Sequence, residues 1–219
     1  MEEQRILVVL PHPDDEAFGL SGTLAKLIRE EGARVTYACL TLGQMGRNMG
    51  VPPFASRVSL PDVRRQELEE SCRAIGIQDL RMLGFHDKTL EFEERELLDG
   101  AIAELLKEVR PTLVYTFYPG YSVHPDHDAT GAAVVRAVGE LPSETRPPVH
   151  CVAFAKNTLE DLGPPDLVNN VGEFMEAKLA AIYAHRSQFQ AAELVGNKSM
   201  DEIIERFGTE RFWIYRFEN

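Results

Sequence analysis

Apolar positions along this chain follow two alternating rhythms. Residues 5–10 (RILVVL) form an unbroken apolar run, which predicts a strand covered on both faces of a parallel sheet. Residues 17–31 follow with Leu20, Leu24, Leu27 and Ile28 on one helical side and Gly32 as the stop, predicting a helix. The same rhythm continues with strands expected over 35–42, 80–83, 112–117 and 149–155. Helices are expected over 62–75, 94–109, 129–139 and 173–186, and the pattern beyond 186 is indistinct. Strands separated by helices of about 12 to 16 residues are βαβ units with right-handed crossovers. The fold class is therefore α/β with a mainly parallel sheet, in one domain over 1–219, without an internal repeat or an interdomain linker.

Composition narrows the partners. The 219 residues carry 23 basic and 35 acidic side chains, a net charge of −12, so the average surface repels nucleic-acid phosphates. A hydrophobic share of 44% is enough for one core, and argues against disorder. The longest charge-free stretch, 111–125, has proline at both ends and is too short to span a bilayer. The start, MEEQRILVVL, has no positive flank, long apolar run or cleavage site of a signal peptide. Cys39, Cys72 and Cys151 are odd in number and form no CxxC pattern; Cys39 and Cys151, inside apolar runs, are expected as buried thiols, and a reducing, cytoplasmic setting is expected. Composition thus argues against a membrane protein, a secreted scaffold or a general nucleic-acid binder.

Candidate chemistry sits in two loops. Pro11-His12-Pro13-Asp14-Asp15-Glu16 follows the first strand, and His124-Pro125-Asp126-His127-Asp128 follows the fourth. In a doubly wound sheet these strands neighbour each other where strand order reverses, so the loops face one crevice. Either loop alone is explained equally well by acids capping a helix start. The same pattern at both ligand-facing loops points instead to a metal. Imidazole and carboxylate without thiolate suit zinc, with iron or manganese also compatible. The surplus side chains can serve as acid, base and oxyanion partner, which is the equipment of a hydrolase. No GxGxxG, GxxxxGK[ST] or GxSxG motif competes. Residues 43–61 are too long for an ordinary βα loop and lie at a strand's carboxyl end, where such loops are often functional.

His12-Pro-Asp-Asp-Glu16 together with His124-Pro-Asp-His127 resembles the zinc-dependent de-N-acetylases of the PIG-L/LmbE family. The run from Val35 to Glu91 and the segment FYPGYSVHPDH resemble one branch, the bacillithiol biosynthesis deacetylases. The resemblance implies a Rossmann-like three-layer fold, a Zn2+ cofactor, and removal of acetyl from an N-acetylglucosamine conjugate, foremost N-acetylglucosaminyl-malate. Chitobiose, another N-acetyl sugar or a thiol conjugate are alternative substrates, and a non-catalytic metal- or sugar-binding module is the alternative outside enzymes. By matching position, His12, Asp15 and His127 resemble the metal ligands and Asp14 the general base. His124 resembles an oxyanion partner, expected as a cation, with Asp126 tuning the neighbouring imidazole. Arg47 resembles a substrate-binding arginine. Tyr121 and Ser122 stand where other branches differ, and His185-Arg-Ser-Gln188 resembles an element near the site, although a helix dipole explains it equally well. The family further implies a homo-oligomer, possibly a hexamer. Arg57, Arg64, Arg65 and Lys88 read as solvated charges, His86 as a surface residue and His150 as sheet packing.

Overall fold

A computed structural model of the chain describes residues 3–47, 50–190, 195–196 and 198–218. Residues 48 and 49 of the long 43–61 loop therefore lie outside the described residues. The central strand is β1 (Arg5–Leu10), flanked by β2 (Arg34–Thr41) and β4 (Leu113–Phe117), both parallel to it. β3 (Asp79–Phe85) extends the sheet beyond β2, and β5 (Val149–Val152) extends it beyond β4, again in parallel. β7 (Thr209–Ile214) pairs antiparallel to β5, and β6 (Leu167–Asn170) pairs antiparallel to β7, completing the order β3-β2-β1-β4-β5-β7-β6.

The continuous apolar runs are explained by two cores. Along β1, Ile6, Val8 and Leu10 point into one core, and Leu7 and Val9 into the other. The first core packs beneath α1 (Asp15–Gly19), α2 (Ser21–Glu31), α3 (Leu60–Ile75) and α7 (Met175–Ala184). The second packs beneath α4 (Arg95–Val109) and α5 (Pro125–Gly139). Both faces of the strands lose water, which is why they show no alternation. The short α6 (Thr158–Asp161) and α8 (Met200–Phe207) lie outside these layers. Among the described residues no helix is long and apolar enough to cross a membrane. Cys39, Cys72 and Cys151 are buried free thiols.

Departures from the expected elements have identifiable causes. The helix expected over 17–31 is broken at Leu20, because the carboxylate of Glu210 on β7 accepts the backbone N–H groups of Gly22 and Thr23 at 3.0 and 2.7 Å. That distant cap starts a new helix at Ser21. The helix expected over 129–139 begins four residues earlier, since His124 caps it and Pro125 fits its first position. His127 is consequently on a helical turn rather than in a loop. Helix α7 ends at Ala184, two residues before the expected 186, as the following segment is drawn to buried carboxylates. Strands β6 and β7 carry no regular apolar rhythm, so periodicity does not reveal them.

Candidate functional site

β1 and β4 are adjacent, so the two loops meet at the carboxyl edge of the sheet. His12 is buried, and its Nε2 lies 3.1 Å from Asp126 Oδ2 and 3.2 Å from Asp87 Oδ1. Two carboxylates at that nitrogen make it the N–H donor, which leaves the lone pair on Nδ1. Nδ1 lies 3.4 Å from Asp15 Oδ2. His127 is arranged in the opposite sense. Its Nδ1 donates to the Ser122 carbonyl at 3.1 Å, and its Nε2 faces Asp15 Oδ1 at 3.2 Å. Its ring stacks on Phe117 with centroids 4.1 Å apart. The second nitrogen of each ring therefore faces one oxygen of Asp15, and it is the nitrogen that carries the lone pair when the ring is neutral. Imidazole nitrogen and carboxylate oxygen are both zinc donors, and Asp15 faces one ring nitrogen of each histidine at 3.4 and 3.2 Å.

Two groupings around His12 have metal-compatible separations among the described residues: His12 with His124 and His127, and His12 with Asp87 and Asp126. The second is already saturated. Asp126 accepts from the backbone N–H of Lys88 at 2.6 Å and of Leu90 at 3.2 Å, and Asp87 accepts from that of Met45 at 2.7 Å. These carboxylates orient His12 and fix its tautomer. Electrostatics point the same way. Burial alone would lower the His12 pKa, but Asp126, Asp15 and Asp87 outweigh it and hold it well above the ordinary value. Burial alone would raise the Asp15 pKa, yet His127 and His12 depress it below the usual carboxylate range. The pocket favours positive charge.

Asp14 does not cap the helix it precedes; no side-chain capping bond is present. Its backbone is left-handed (φ 108°, ψ −26°), an uncommon state for a residue with a Cβ, and its N–H donates to Glu16 Oε2 at 3.1 Å. Arg64 Nη2 donates to Asp14 Oδ2 at 2.9 Å. Burial outweighs that cation and pushes the Asp14 pKa up to about 6, in the range suited to a general base.

The expectation of a cationic His124 is corrected. Its Nδ1 accepts the backbone N–H of Asp126 at 3.2 Å, which requires a lone pair there. Burial, with His12 and His127 nearby, lowers its pKa. His124 is thus a neutral imidazole whose Nε2–H remains a donor. The pairing expected of Asp126 shifts as well: its carboxylate serves His12, and only its backbone touches His124. The carboxylates of two further acids of the motifs turn away from the His12, Asp15 and His127 side chains. Glu16 is buried against His185 Nε2 at 2.7 Å, Ser71 and Tyr37, while Asp128 Oδ1 accepts from Gly120 and Ser122 N–H at 2.9 and 3.3 Å.

Arg47 is exposed on the turn after β2, with its carbonyl accepting from Gln188 Nε2 at 2.9 Å. Tyr121 donates to Asp161 and the buried Ser122 to the Tyr118 carbonyl, so both are anchored within the protein. His185 is fully buried on Glu16, a role beyond the helix dipole. His86 and Lys88 are exposed, and His150 packs between Tyr115 and Phe212 within the sheet layer.

Arg64 is not a solvated charge: it is 3% exposed. The signal lies in helix α3, where Arg64, Glu67 and Ser71 fall on the same stripe as Leu60, Leu68, Cys72 and Ile75. Polar residues on an apolar stripe mark groups that need buried partners. Asp87 escapes the sequence reading because the apolar run of β3 stops at 83; the strand's true end at Phe85 puts Asp87 on the ligand edge.

Residues 7–138 match the family model described as GlcNAc-PI de-N-acetylase (PIG-L). A Bacillus cereus protein named probable N-acetyl-alpha-D-glucosaminyl L-malate deacetylase 2 is 50% identical, over 99% of this chain and 100% of its own. A Bacillus subtilis protein of the same name is 46% identical over the same shares of the two chains. The solved N,N'-diacetylchitobiose deacetylase of Pyrococcus horikoshii superposes with a TM-score of 0.73 at 27% identity, covering 98% of this chain and 84% of that one. With more than half its length in the family model and near-full-length relatives at 50% and 46% identity, this chain belongs to the PIG-L family of de-N-acetylases.

Proposed function

We propose that this protein hydrolyses the acetamide of N-acetylglucosaminyl-malate, with His12, Asp15 and His127 holding a zinc ion. The observation that carries the reading is the second contact of each histidine. Asp126 and Asp87 behind His12, and the Ser122 carbonyl behind His127, turn both lone pairs toward Asp15. A zinc held there would supply Lewis acidity toward the amide carbonyl and would make water a better nucleophile at neutral pH. Asp14 takes a proton from the attacking water and delivers one to the departing amine, giving acetate and the free amino sugar. The His124 Nε2–H donates to the carbonyl oxygen as negative charge develops on it. A neutral imidazole performs this task without competing with the cation for Asp15. Arg47, on the same edge, is the proposed partner of the malate carboxylates in a chain whose net charge of −12 otherwise repels them.

The names borne by the Bacillus relatives favour the malate conjugate, while the Pyrococcus horikoshii structure makes a neutral N-acetyl sugar the second reading. Free amine released from both substrates, with and without chelator, separates them. Chelator-sensitive release from the malate conjugate is expected, with Arg47→Ala raising KM for it but not for a neutral sugar. No chelator-sensitive release from any N-acetylglucosamine conjugate overturns the proposal.

A further inference from the structure

Arg64 makes contacts that reach beyond fold maintenance. Its guanidinium donates to the Asp14 carboxylate at 2.9 Å, to the Pro13 carbonyl, and through Nη1 to the Gly43 carbonyl at 3.0 Å. One planar group thus grips the first catalytic loop and the turn that carries Arg47. The turn is shaped for it: Gly43 has φ +59°, and a Cβ there would lie 1.7 Å from Nη1. Only glycine tolerates both demands. The Nε of Arg64 is buried and has no hydrogen-bond partner among the described residues. A guanidinium left partly unsatisfied in the interior is a poor device for stability, and a buried pair of this kind is weak evidence for a stabilising role. One turn along α3, Glu67 accepts from Ser187 N–H and Oγ–H, each at 2.7 Å, and the neighbouring Gln188 holds the Arg47 carbonyl. Helix α3 therefore secures the Arg47 turn from two sides and the base from one.

We propose that Arg64 is the positioning residue of Asp14 and couples that carboxylate to the Gly43–Arg47 turn. The proposal rests on the reading of Asp14 as the base. Among the described residues Arg64 makes no hydrogen bond to the three proposed metal ligands; it acts by holding Asp14 Oδ2 in one direction, leaving the other oxygen without a hydrogen bond there. A misplacement of about 1 Å in such a group costs on the order of 10²-fold in rate.

The test combines steady-state kinetics, metal analysis and crystallography of the metal-loaded protein. Arg64→Met is expected to keep wild-type zinc content and a KM within about twofold, while kcat falls about 10²-fold. Arg64→Lys, which can serve fewer of the three acceptors, is expected about tenfold below wild type. In an Asp14→Asn background, Arg64→Met is expected to change kcat by less than about twofold, because residues acting as a unit are not additive. Crystals of Arg64→Met should show the Asp14 carboxylate rotated from its wild-type position. Independent, multiplying effects of the two substitutions overturn the proposal, as does an unmoved Asp14 or a loss of zinc that accounts for the loss of rate. If Arg64→Met does not fold, wild-type kcat in Arg64→Lys overturns it. If the wild-type protein acts on no amide, the deacetylase reading fails, and the position of Asp14 still decides the coupling.

Discussion

The site is built from the same tripeptide twice, His12-Pro13-Asp14 and His124-Pro125-Asp126, and the two copies do opposite things. In the first, the histidine is backed by carboxylates at Nε2 and offers Nδ1, while the aspartate stands in a left-handed conformation with a pKa raised to about 6. In the second, the histidine caps a helix through Nδ1 and offers Nε2. Its aspartate is fully buried and saturated by two backbone N–H groups and His12. A base must have a free oxygen, whereas a supporting carboxylate must have none. In the proposed function, identical residues are divided between those tasks by what surrounds them: two backbone N–H groups and His12 around the Asp126 carboxylate, Arg64 and Glu16 around Asp14.

The contrast can be broken most sharply within the second loop. His127→Ala is expected to lose bound metal and, with it, all activity above background, read by metal analysis on the purified protein. His124→Ala, three residues away, is expected to keep its metal and lose about 10²–10³-fold in kcat. Equal metal loss in both variants would mean that the two histidines share one role. A smaller effect belongs to Asp126, which reaches the metal only through His12. Asp126→Asn is expected to weaken metal affinity by about 10- to 100-fold in a competition titration, with activity restored at saturating zinc.

The smallest expected effect concerns the support of the first loop alone. Burial by itself would lower the His185 pKa, but Glu16 outweighs it and raises it; burial by itself would raise the Glu16 pKa, and His185 depresses it. A raised histidine stabilises fully below its unfolded value of about 6.5, and that stability is lost as pH rises through the folded value. A depressed glutamate stabilises above its unfolded value of about 4.3 and loses that on acidification. The difference in Tm between wild type and His185→Gln should therefore be largest between about pH 4.3 and 6.5 and narrow on either side. A difference independent of pH would mean that the pair contributes through packing alone.

Much of this is legible in the residues because local rules are strong. The run RILVVL, the stop at Gly32 and the helix after Pro61-Asp62 depend on neighbours within a turn or two, and each has its place in the structure. The meeting of the 11–16 and 124–128 loops is legible for a different reason: short motifs at strand ends are brought together by the topology of a doubly wound sheet. Arg64, Asp87 and the Glu16–His185 pair are not, because each acts on a partner 50, 75 or 169 positions away in the chain. Nor is the break at Leu20 legible, since the carboxylate that starts the next helix comes from β7, 188 residues beyond Gly22.

By itself, the sequence determined that the chain is an α/β protein with its histidines and acids at the ligand edge, since periodicity and loop position are local properties. Only the tertiary structure decided which nitrogen each histidine presents, which aspartate keeps a free oxygen and which arginine is buried beside it. Tautomer, protonation and desolvation are set by groups a few ångströms away in space, and those groups arrive from separate connections of the sheet.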